Sequence, residues 1–183
     1  MYKNEEMKIL VIIPAYNEEK NIKETVERLK ESAASVDYVV INDCSKDRTE
    51  RILKNLGITY ISLPVNLGIG GAVQTGYKYG VENGYDIAIQ MDGDGQHDPK
   101  YLDTLIAPIV SGTADVVIGS RFLKKEGFQS SRSRRIGIRI LGMLVSICCI
   151  QQIKDVTSGF RAVNKEFMQV FAKDYPQDYP EPE

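Results

Sequence analysis

The sequence of 183 residues has few cysteines, no signal-peptide pattern and little net charge. Its three cysteines, Cys44, Cys148 and Cys149, are odd in number with two adjacent, which argues against a disulfide framework and indicates a reducing, cytosolic setting. The first eight residues are polar and the apolar run at residues 9–13 is short, unlike a signal peptide. A formal net charge of -2 gives no indication of nucleic-acid binding, and the hydrophobic content of 43% predicts one globular domain.

The sequence also lacks an uninterrupted membrane-spanning segment. Residues 136–153 are apolar, but Arg139, Ser146, Gln151 and Gln152 interrupt them, and a spanning helix needs about 20 apolar residues. This stretch therefore predicts an interfacial helix lying against a bilayer or a buried core helix. Its first part, residues 136–150, is also a candidate interface between copies of the chain.

The most informative stretch is IAIQMDGDGQHD at residues 87–98. An apolar run ends in Asp92 and Asp94, whose i, i+2 spacing on an extended segment directs both carboxylates to one side. Oxygen ligands of this kind suit Mg²⁺ or Mn²⁺, which usually keep part of their coordination shell for substrate phosphates. A solvated turn is the alternative. A calcium-binding EF-hand loop is disfavoured because His97 and Asp103 stand where that loop requires Gly and Glu.

Apolar runs alternate with helical patterns along the chain, which predicts an α/β fold with a mostly parallel sheet. The predicted strands are residues 8–14, which end at Pro14, and residues 38–42, 58–63, 85–91 and 115–119. Helices are predicted to begin at Asn17, at Ser45 or Asp47, after residues 66–72, and at Asp98-Pro99. The predicted inward residues are Ile22, Val26 and Leu29 in the first helix, Ile52, Leu53 and Leu56 in the second with Gly57 as its stop, and Leu102, Leu105, Ile106 and Ile109 in the fourth. A short helix is predicted beyond Asn164, through Phe171.

Gly68, Gly70 and Gly71 lie before the third predicted helix and have two explanations. Backbone N–H groups at a helix N-terminus can bind phosphate. Close packing of a helix on a strand explains the glycines equally well, and they do not fit a Walker loop.

Polar residues follow several predicted strands. Tyr16, Asp43, Asp92, Asp94 and Arg121 all fall at strand ends. Ligand sites of open α/β sheets lie outside the carboxyl ends of strands. The sequence therefore predicts that a metal and nucleotide site lies at this edge.

Five motifs in order carry a family resemblance: IPAYNEE at 13–19, VINDCS at 40–45, DGD at 92–94, GSRF at 119–122 and DVTSGFR at 155–161. Together they resemble family 2 glycosyltransferases, and the closer likeness is to the branch of polyprenyl-phosphate sugar synthases. The match runs from residue 8 to about residue 165. It implies a GT-A, Rossmann-like fold with a mostly parallel sheet flanked by helices. On this basis residues 1–165 are the nucleotide-sugar-binding domain, and residues 166–183, acidic and proline-containing, belong to an incomplete acceptor-side region.

The resemblance also implies roles for individual residues. Catalysis is assigned to Asp94 and Arg121. The nucleotide sugar is expected to contact Pro14, Tyr16, Glu18, Ile41, Asp43, Asp92, Gly93, Asp94 and Arg121, with Asp43 bonding the base. The metal is expected at Asp92, Asp94 and Gln96, and the acceptor phosphate at Arg132, Arg135 and Arg161. The family often has two adjacent acids where this chain has Asn42-Asp43, a departure that concerns base or ribose recognition.

The expected reaction is a metal-dependent, inverting transfer of a sugar to a polyprenyl phosphate at the cytoplasmic membrane face. UDP-glucose or UDP-N-acetylglucosamine is favoured as the sugar donor, with GDP-mannose as the alternative. An ionised phosphate acceptor needs no general base; a sugar hydroxyl acceptor would need one, with Asp155 or His97 as candidates. For His97 a third metal contact, a substrate contact and a local structural role all stay open. Seven basic side chains in residues 119–139, against the single acid Glu126, predict peripheral contact with an anionic membrane or else a solvated loop.

The sequence leaves two other functions open. One is a transferase acting on a sugar hydroxyl in polysaccharide or glycan synthesis. The other is a non-catalytic module that binds a nucleotide or metal.

Overall fold

The structure, a computed structural model, describes residues 7–33, 35–119 and 158–175. These residues contain six strands: β1 (Ile9–Ala15), β2 (Asp37–Asn42), β3 (Tyr60–Ser62), β4 (Ile87–Gln90), β5 (Val116–Ile118) and β6 (Arg161–Asn164). They form one sheet in the order β3-β2-β1-β4-β6-β5. The first four strands are parallel, and β6 is antiparallel to both β4 and β5. The predicted α/β class with a mostly parallel sheet is confirmed.

Helices cover both faces of the sheet. They are α1 (Ile22–Ser32), α2 (Thr49–Asn55), α3 (Gly68–Glu82), α4 (Leu102–Val110), preceded by the 3₁₀ turn Pro99–Tyr101, and α5 (Lys165–Lys173). Residues of α1, α2 and α4 share one apolar cluster with Ile13 of β1, whereas α3 and α5 share a second cluster with Ile12. Successive side chains of a strand point to opposite faces, so β1 contributes to both layers. An apolar run without alternation is what such a doubly covered strand requires.

Pro14 does not end β1, contrary to the prediction. The strand continues to Ala15, which pairs with Asn42 of β2, while pairing with β4 stops at Ile12 and Gln90. The Met91 N–H donates to the carbonyl of Ile12, so the backbone groups of Ile12 point toward β4. Pro14 is two residues further along the strand and faces the same way. The N–H that Pro14 lacks would have pointed toward β4, where pairing has already ended. The proline therefore costs no ladder hydrogen bond, and β1 stays paired with β2.

The start of α1 differs from the prediction. Asn17 was expected to cap the helix, but it has φ +57° and its side chain accepts the N–H of Lys46 at 2.8 Å. The carbonyl of Glu18 instead accepts the N–H groups of Asn21 and Ile22 in a turn that leads into the helix. The predicted inward residues of α1 are all buried.

The start of α2 agrees with one of the two predicted residues, and one inward position is wrong. Asp47 accepts both the N–H of Thr49 at 2.9 Å and its hydroxyl at 2.6 Å. Leu53 is fully buried, but Leu56 is 44% exposed. The helix ends at Asn55, so Leu56 lies past its last turn and does not face the sheet. Gly57 stops the helix with φ +61°, as predicted.

Beyond α4 the sequence pattern missed β6 and anticipated α5. Asn164 accepts the N–H of Phe167 at 2.9 Å and so caps α5. Met168 and Ala172 of α5 are buried in the cluster they share with α3. The domain boundary at residue 165 stays a prediction. Over the described ranges, no helix is both long and apolar enough to cross a membrane.

Candidate functional site at the carboxyl edge of the sheet

The residues that follow β1, β2 and β4 meet at the carboxyl edge of the sheet. Because these strands are parallel neighbours in the order β2-β1-β4, Tyr16, Asp43, Asp92 and Asp94 all lie at this edge. Their expected placement is confirmed, whereas their roles stay predictions. Arg121, the fifth residue of the set, lies outside the described residues. The geometry is that of a ligand site in an open α/β sheet.

The loops after β1 and β2 are hydrogen-bonded to each other. Asn17 N–H donates to the Ser45 hydroxyl at 3.0 Å, and Lys46 N–H donates to Asn17 Oδ1 at 2.8 Å. Asn17 and Cys44 both have φ of +57°, in the left-handed region that few non-glycine residues adopt. These bonds between the loops stabilise that conformation.

A second set of contacts joins the same loops through charged side chains. Glu19 N–H donates to Asp47 Oδ2 at 3.0 Å. Glu19 Oε2 accepts the backbone N–H of Arg48 at 3.0 Å and its Nε at 3.1 Å. The hydrogen bond from the Arg48 side chain lowers the pKa of Glu19. The two loops are thus fixed relative to each other before any ligand arrives, which reduces the ordering cost of binding.

Asp43 faces the loop that precedes α3. It is 2% exposed, and its Oδ1 accepts the N–H of Leu67 at 2.7 Å. Burial raises the pKa of Asp43, and the hydrogen bonds from the N–H groups of Leu67 and Gly68 counteract part of this effect. The Leu67 N–H is therefore directed at a carboxylate of the protein itself, and the Gly68 N–H donates to Asn66 Oδ1 at 3.1 Å.

The glycines in the first turn of α3 have local structural reasons. Gly68 has φ +73°, which L side chains rarely adopt, and a side chain at Gly71 would overlap Leu67. These reasons are local, so phosphate binding and close packing of the helix on a strand both stay predictions for these glycines.

The other residues assigned to nucleotide binding differ in exposure. Tyr16 and Glu18 are half-buried, whereas Pro14 is buried. The side chain of Ile41 belongs to the apolar cluster under α3, so only its backbone can reach a ligand at this edge. A Cβ at Gly93 would lie 3.0 Å from the Pro14 carbonyl and 3.6 Å from Glu18 Cγ. Glycine therefore allows the chain after β4 to approach the end of β1.

Asp92 is held from several directions. Gln90 Nε2 donates to its Oδ1 at 3.3 Å, and its own N–H donates to His97 Nδ1 at 3.1 Å. The Cα of Gly159 lies so close that an added side chain would overlap the carboxylate. The Asp92 side chain nevertheless stays 32% exposed, open to a ligand.

His97 supports Asp92 from inside the fold. It is 8% exposed, and its ring stacks on Phe160 at 5.1 Å between centroids. Because Nδ1 accepts an N–H, the ring proton is carried by Nε2, which lies 3.8 Å from Asp92 Oδ2. Of the roles considered for His97, local positioning is the one that these contacts support.

Asp94 and Gln96 form a tight turn after Gly93. The N–H of Gln96 donates to Asp94 Oδ1 at 2.9 Å, and the Gln96 side chain is exposed. In the described ranges neither Asp92 nor Asp94 pairs with a lysine or arginine, and no group of three or more His, Cys, Asp or Glu side chains is arranged to bind a metal. Mg²⁺ commonly binds through one or two carboxylates and takes its other ligands from substrate phosphates and water. The two carboxylates therefore fit such an ion when a diphosphate is bound.

Two contacts of Asp92 were not anticipated. The sequence contained a sign of the Gln90 contact, since Gln90 is a polar residue at the end of an otherwise apolar strand. No feature of the sequence predicted the Gly159 contact, because the proximity of Gly159 to Asp92 depends on the position of β6 beside β4.

The predicted acceptor residues are only partly described. Arg161 is half-buried at the start of β6, and its Nη2 donates to the Ser158 carbonyl at 3.1 Å. Arg132, Arg135 and Asp155 lie outside the described residues, as does the apolar stretch at 136–153.

Comparison with protein families and curated sequences agrees with this geometry. The model of the family described as "Glycosyl transferase family 2" matches residues 10–171. The chain is 32% identical to the UDP-N-acetylglucosamine–dolichyl-phosphate N-acetylglucosaminyltransferase of Methanococcus voltae, over 90% of this chain and 72% of that protein. It is also 32% identical to the undecaprenyl-phosphate mannosyltransferase of Micrococcus luteus, over 92% of this chain and 71% of that protein.

Comparison with solved structures supports the fold. Glucosyl-3-phosphoglycerate synthase from Mycobacterium tuberculosis, solved with Mn²⁺, UDP and glucosyl-3-phosphoglycerate, superposes with a TM-score of 0.67 at 22% identity. The likeness covers 88% of this chain and 58% of that one. The expected GT-A fold is confirmed.

Proposed function

Because the chain belongs to glycosyl transferase family 2, and is therefore a glycosyltransferase, we propose that it transfers a sugar from a nucleoside diphosphate to a polyprenyl phosphate. The main support for the proposed site is that Asp92 and Asp94 follow β4, on the same edge of the sheet as the hydrogen-bonded loops after β1 and β2. A nucleotide bound along those loops would extend its diphosphate toward the two acids. Both relatives described above bear names that specify a lipid phosphate.

The nucleotide is recognised, in this proposal, by the loops after β1 and β2. The Asp43 oxygen that does not bond Leu67 can accept a base N–H, as uracil and guanine both offer. Tyr16 and Glu18 lie on the same side. The N-acetylglucosaminyltransferase relative is named for a UDP sugar, which supports UDP-N-acetylglucosamine or UDP-glucose, with GDP-mannose as the alternative.

A divalent cation, Mg²⁺ or Mn²⁺, would be held by Asp92 and Asp94 with Gln96 nearby, and when bound it supplies positive charge that stabilises the leaving diphosphate. Gln90 and Gly159 confine the Asp92 carboxylate, and His97 accepts the N–H of the same residue. Arg121 is proposed to neutralise the diphosphate further, since a guanidinium bonds phosphate oxygens bidentately.

The transfer is proposed to be a direct, inverting displacement. An acceptor phosphate oxygen forms a bond to the anomeric carbon while the bond from that carbon to the diphosphate oxygen breaks, and the nucleoside diphosphate leaves. A phosphate monoester is largely ionised at neutral pH, so this nucleophile needs no general base. The contacts of His97, which point inward, are consistent with a reaction that does not require it as a base.

The acceptor phosphate is proposed to bind Arg132, Arg135 and Arg161. Residues 119–139 carry seven basic side chains, which favour an anionic membrane surface by roughly 1 kcal/mol for each cation near it. We therefore place the protein in the cytoplasm, in peripheral contact with the inner face of the cell membrane. Residues 136–150 remain the candidate interface between copies.

The test is a transfer assay with a panel of UDP and GDP sugars, undecaprenyl phosphate and Mn²⁺ or Mg²⁺. The expected result is a lipid-linked sugar that Asp94→Ala abolishes. Asp103→Ala, which removes an exposed acid on α4, is the matched control and should leave the product unchanged. Equal product from Asp94→Ala would refute the assigned site, and transfer only to a sugar hydroxyl would refute the acceptor.

A further inference from the structure

Three buried polar atoms of the described residues have no hydrogen-bond partner: the Tyr77 hydroxyl oxygen, Gln90 Oε1 and Arg161 Nε. Two of them belong to donors, the hydroxyl and the guanidinium N–H, and the third is an acceptor. A buried group left without a partner costs about 1–3 kcal/mol, so such atoms usually share a buried water. The set is chemically complementary because one water can accept from one donor and donate to Gln90 Oε1.

Gln90 and Arg161 lie side by side under the candidate site, and Tyr77 packs against the same face of the sheet. Gln90 and Arg161 are direct partners across the antiparallel pair of β4 and β6, where side chains stand about 5 Å apart. Tyr77 is fully buried in the cluster between α3 and this face of the sheet. The Arg161 charge is close enough to lower the pKa of Tyr77 and of Tyr175, although burial raises both overall.

Gln90 connects this cluster with Asp92. The two residues are separated by one position on an extended segment, so their side chains share a face. The Gln90 amide donates to Asp92 Oδ1 at 3.3 Å, while its carbonyl oxygen faces the interior. A glutamine whose oxygen is held by interior donors has its NH₂ group directed outward, toward the carboxylate.

We propose that Gln90 is a positioning residue that orients the Asp92 carboxylate for the divalent cation, and that a buried water shared with Tyr77 and Arg161 fixes its amide. This inference rests on the proposed function of Asp92. The proposal gives Arg161 a second role besides binding the acceptor phosphate. From β6, it helps to hold the Gln90 amide that orients Asp92 on the sugar-donor side of the site. Groups that orient a metal-binding side chain typically affect metal affinity by about 10- to 100-fold.

The test is titration of MnCl₂ in the presence of UDP or GDP, whichever binds the wild-type protein, with binding followed by calorimetry. Gln90→Met preserves the length of the side chain and removes its hydrogen bonds. It should raise the Mn²⁺ concentration for half-maximal nucleotide binding by about tenfold. Tyr77→Phe removes one buried hydrogen-bond donor with little change of shape. It should also raise the Mn²⁺ concentration for half-maximal nucleotide binding, but by a smaller factor.

Gln74→Met is the matched control. Gln74 is also a buried glutamine in the α3 layer, and its amide donates to the Ala172 carbonyl of α5 at 3.4 Å. It should leave the Mn²⁺ requirement unchanged even if it lowers thermal stability. The proposal is overturned if Gln90→Met and Tyr77→Phe bind like the wild type, or if Gln74→Met behaves like Gln90→Met. Absence of Mn²⁺-dependent nucleotide binding in the wild type would overturn the proposed function together with this role of Gln90.

Discussion

Gly159→Ala tests whether the position of the Asp92 carboxylate limits activity. The added Cβ would lie 2.7 Å from Asp92 Oδ1 and closer still to Oδ2, whereas ordinary contact begins near 3.4 Å, so the carboxyl group has to retreat by roughly 1 Å. Misplacement of a reacting group by about 1 Å can cost about 10²-fold in rate. We expect kcat/KM for sugar transfer to fall by about 10- to 100-fold, while the free energy of unfolding falls by about 1–3 kcal/mol from the tighter packing.

The assay is transfer of the sugar selected in the donor panel to undecaprenyl phosphate, measured against Mn²⁺ concentration, with urea unfolding in parallel. Gly80→Ala is the control, because its added Cβ would lie 2.6 Å from Met168 Sδ, the flexible end of a side chain remote from the site. It should keep wild-type kcat/KM. A Gly159→Ala protein with wild-type kcat/KM and an unchanged Mn²⁺ requirement would refute the reasoning.

Three further predictions concern the residues around the site. Asp43→Asn should lower nucleotide affinity by about tenfold, because the group proposed to face the base becomes a hydrogen-bond donor. The affinity of the wild type, measured by calorimetry, should also fall as the pH drops through the raised pKa of Asp43. The affinity of the variant should show no such fall. Asp47→Ala should lower the free energy of unfolding by about 1–2 kcal/mol, since it removes two hydrogen bonds to Thr49 at the start of α2 and one from the Glu19 N–H. Arg48→Ala should lower it by only about 0–1 kcal/mol, and equal losses for the two variants in urea unfolding would contradict this. Tyr85, whose hydroxyl donates to Asp37 at 3.0 Å, has its pKa raised to about 12 by burial and by Asp37. Its stabilisation should be complete below pH 10 and lost as the pH rises toward 12, so the stability difference between the wild type and Tyr85→Phe should shrink over that range.

The sequence predicted the features that follow from local periodicity. The interiors of β1, β2 and β4 are consecutive apolar residues because both faces are covered, and the polar residues of the site follow the ends of these strands. Once the strands are parallel neighbours, those ends must meet at one edge. The placement of Asp43 and Asp92 therefore needed no knowledge of tertiary contacts.

The failures lie where long-range contacts decide the local conformation. Asn17 has the residue type of a helix cap, but its side chain bonds Lys46 of a different loop, and the helix starts later. Leu56 fits the helical period of α2, yet it follows the last helical residue and is 44% exposed. β6 has four residues, with a charged first and a polar last position, so neither its length nor its pattern distinguishes it from a loop.

The position of β6 also determines what the segment at residues 158–161 contacts. Its antiparallel insertion beside β4 brings Gly159 against Asp92 and Arg161 opposite Gln90. In the proposed function, the segment that leads from the acceptor side back into the sheet thus contacts the acid assigned to the sugar donor. A shift of β6 by two residues would preserve the faces of the sheet but would move Gly159 away from the carboxylate. The short SGFR segment is therefore constrained by the register of β6 as well as by any direct contact with substrate.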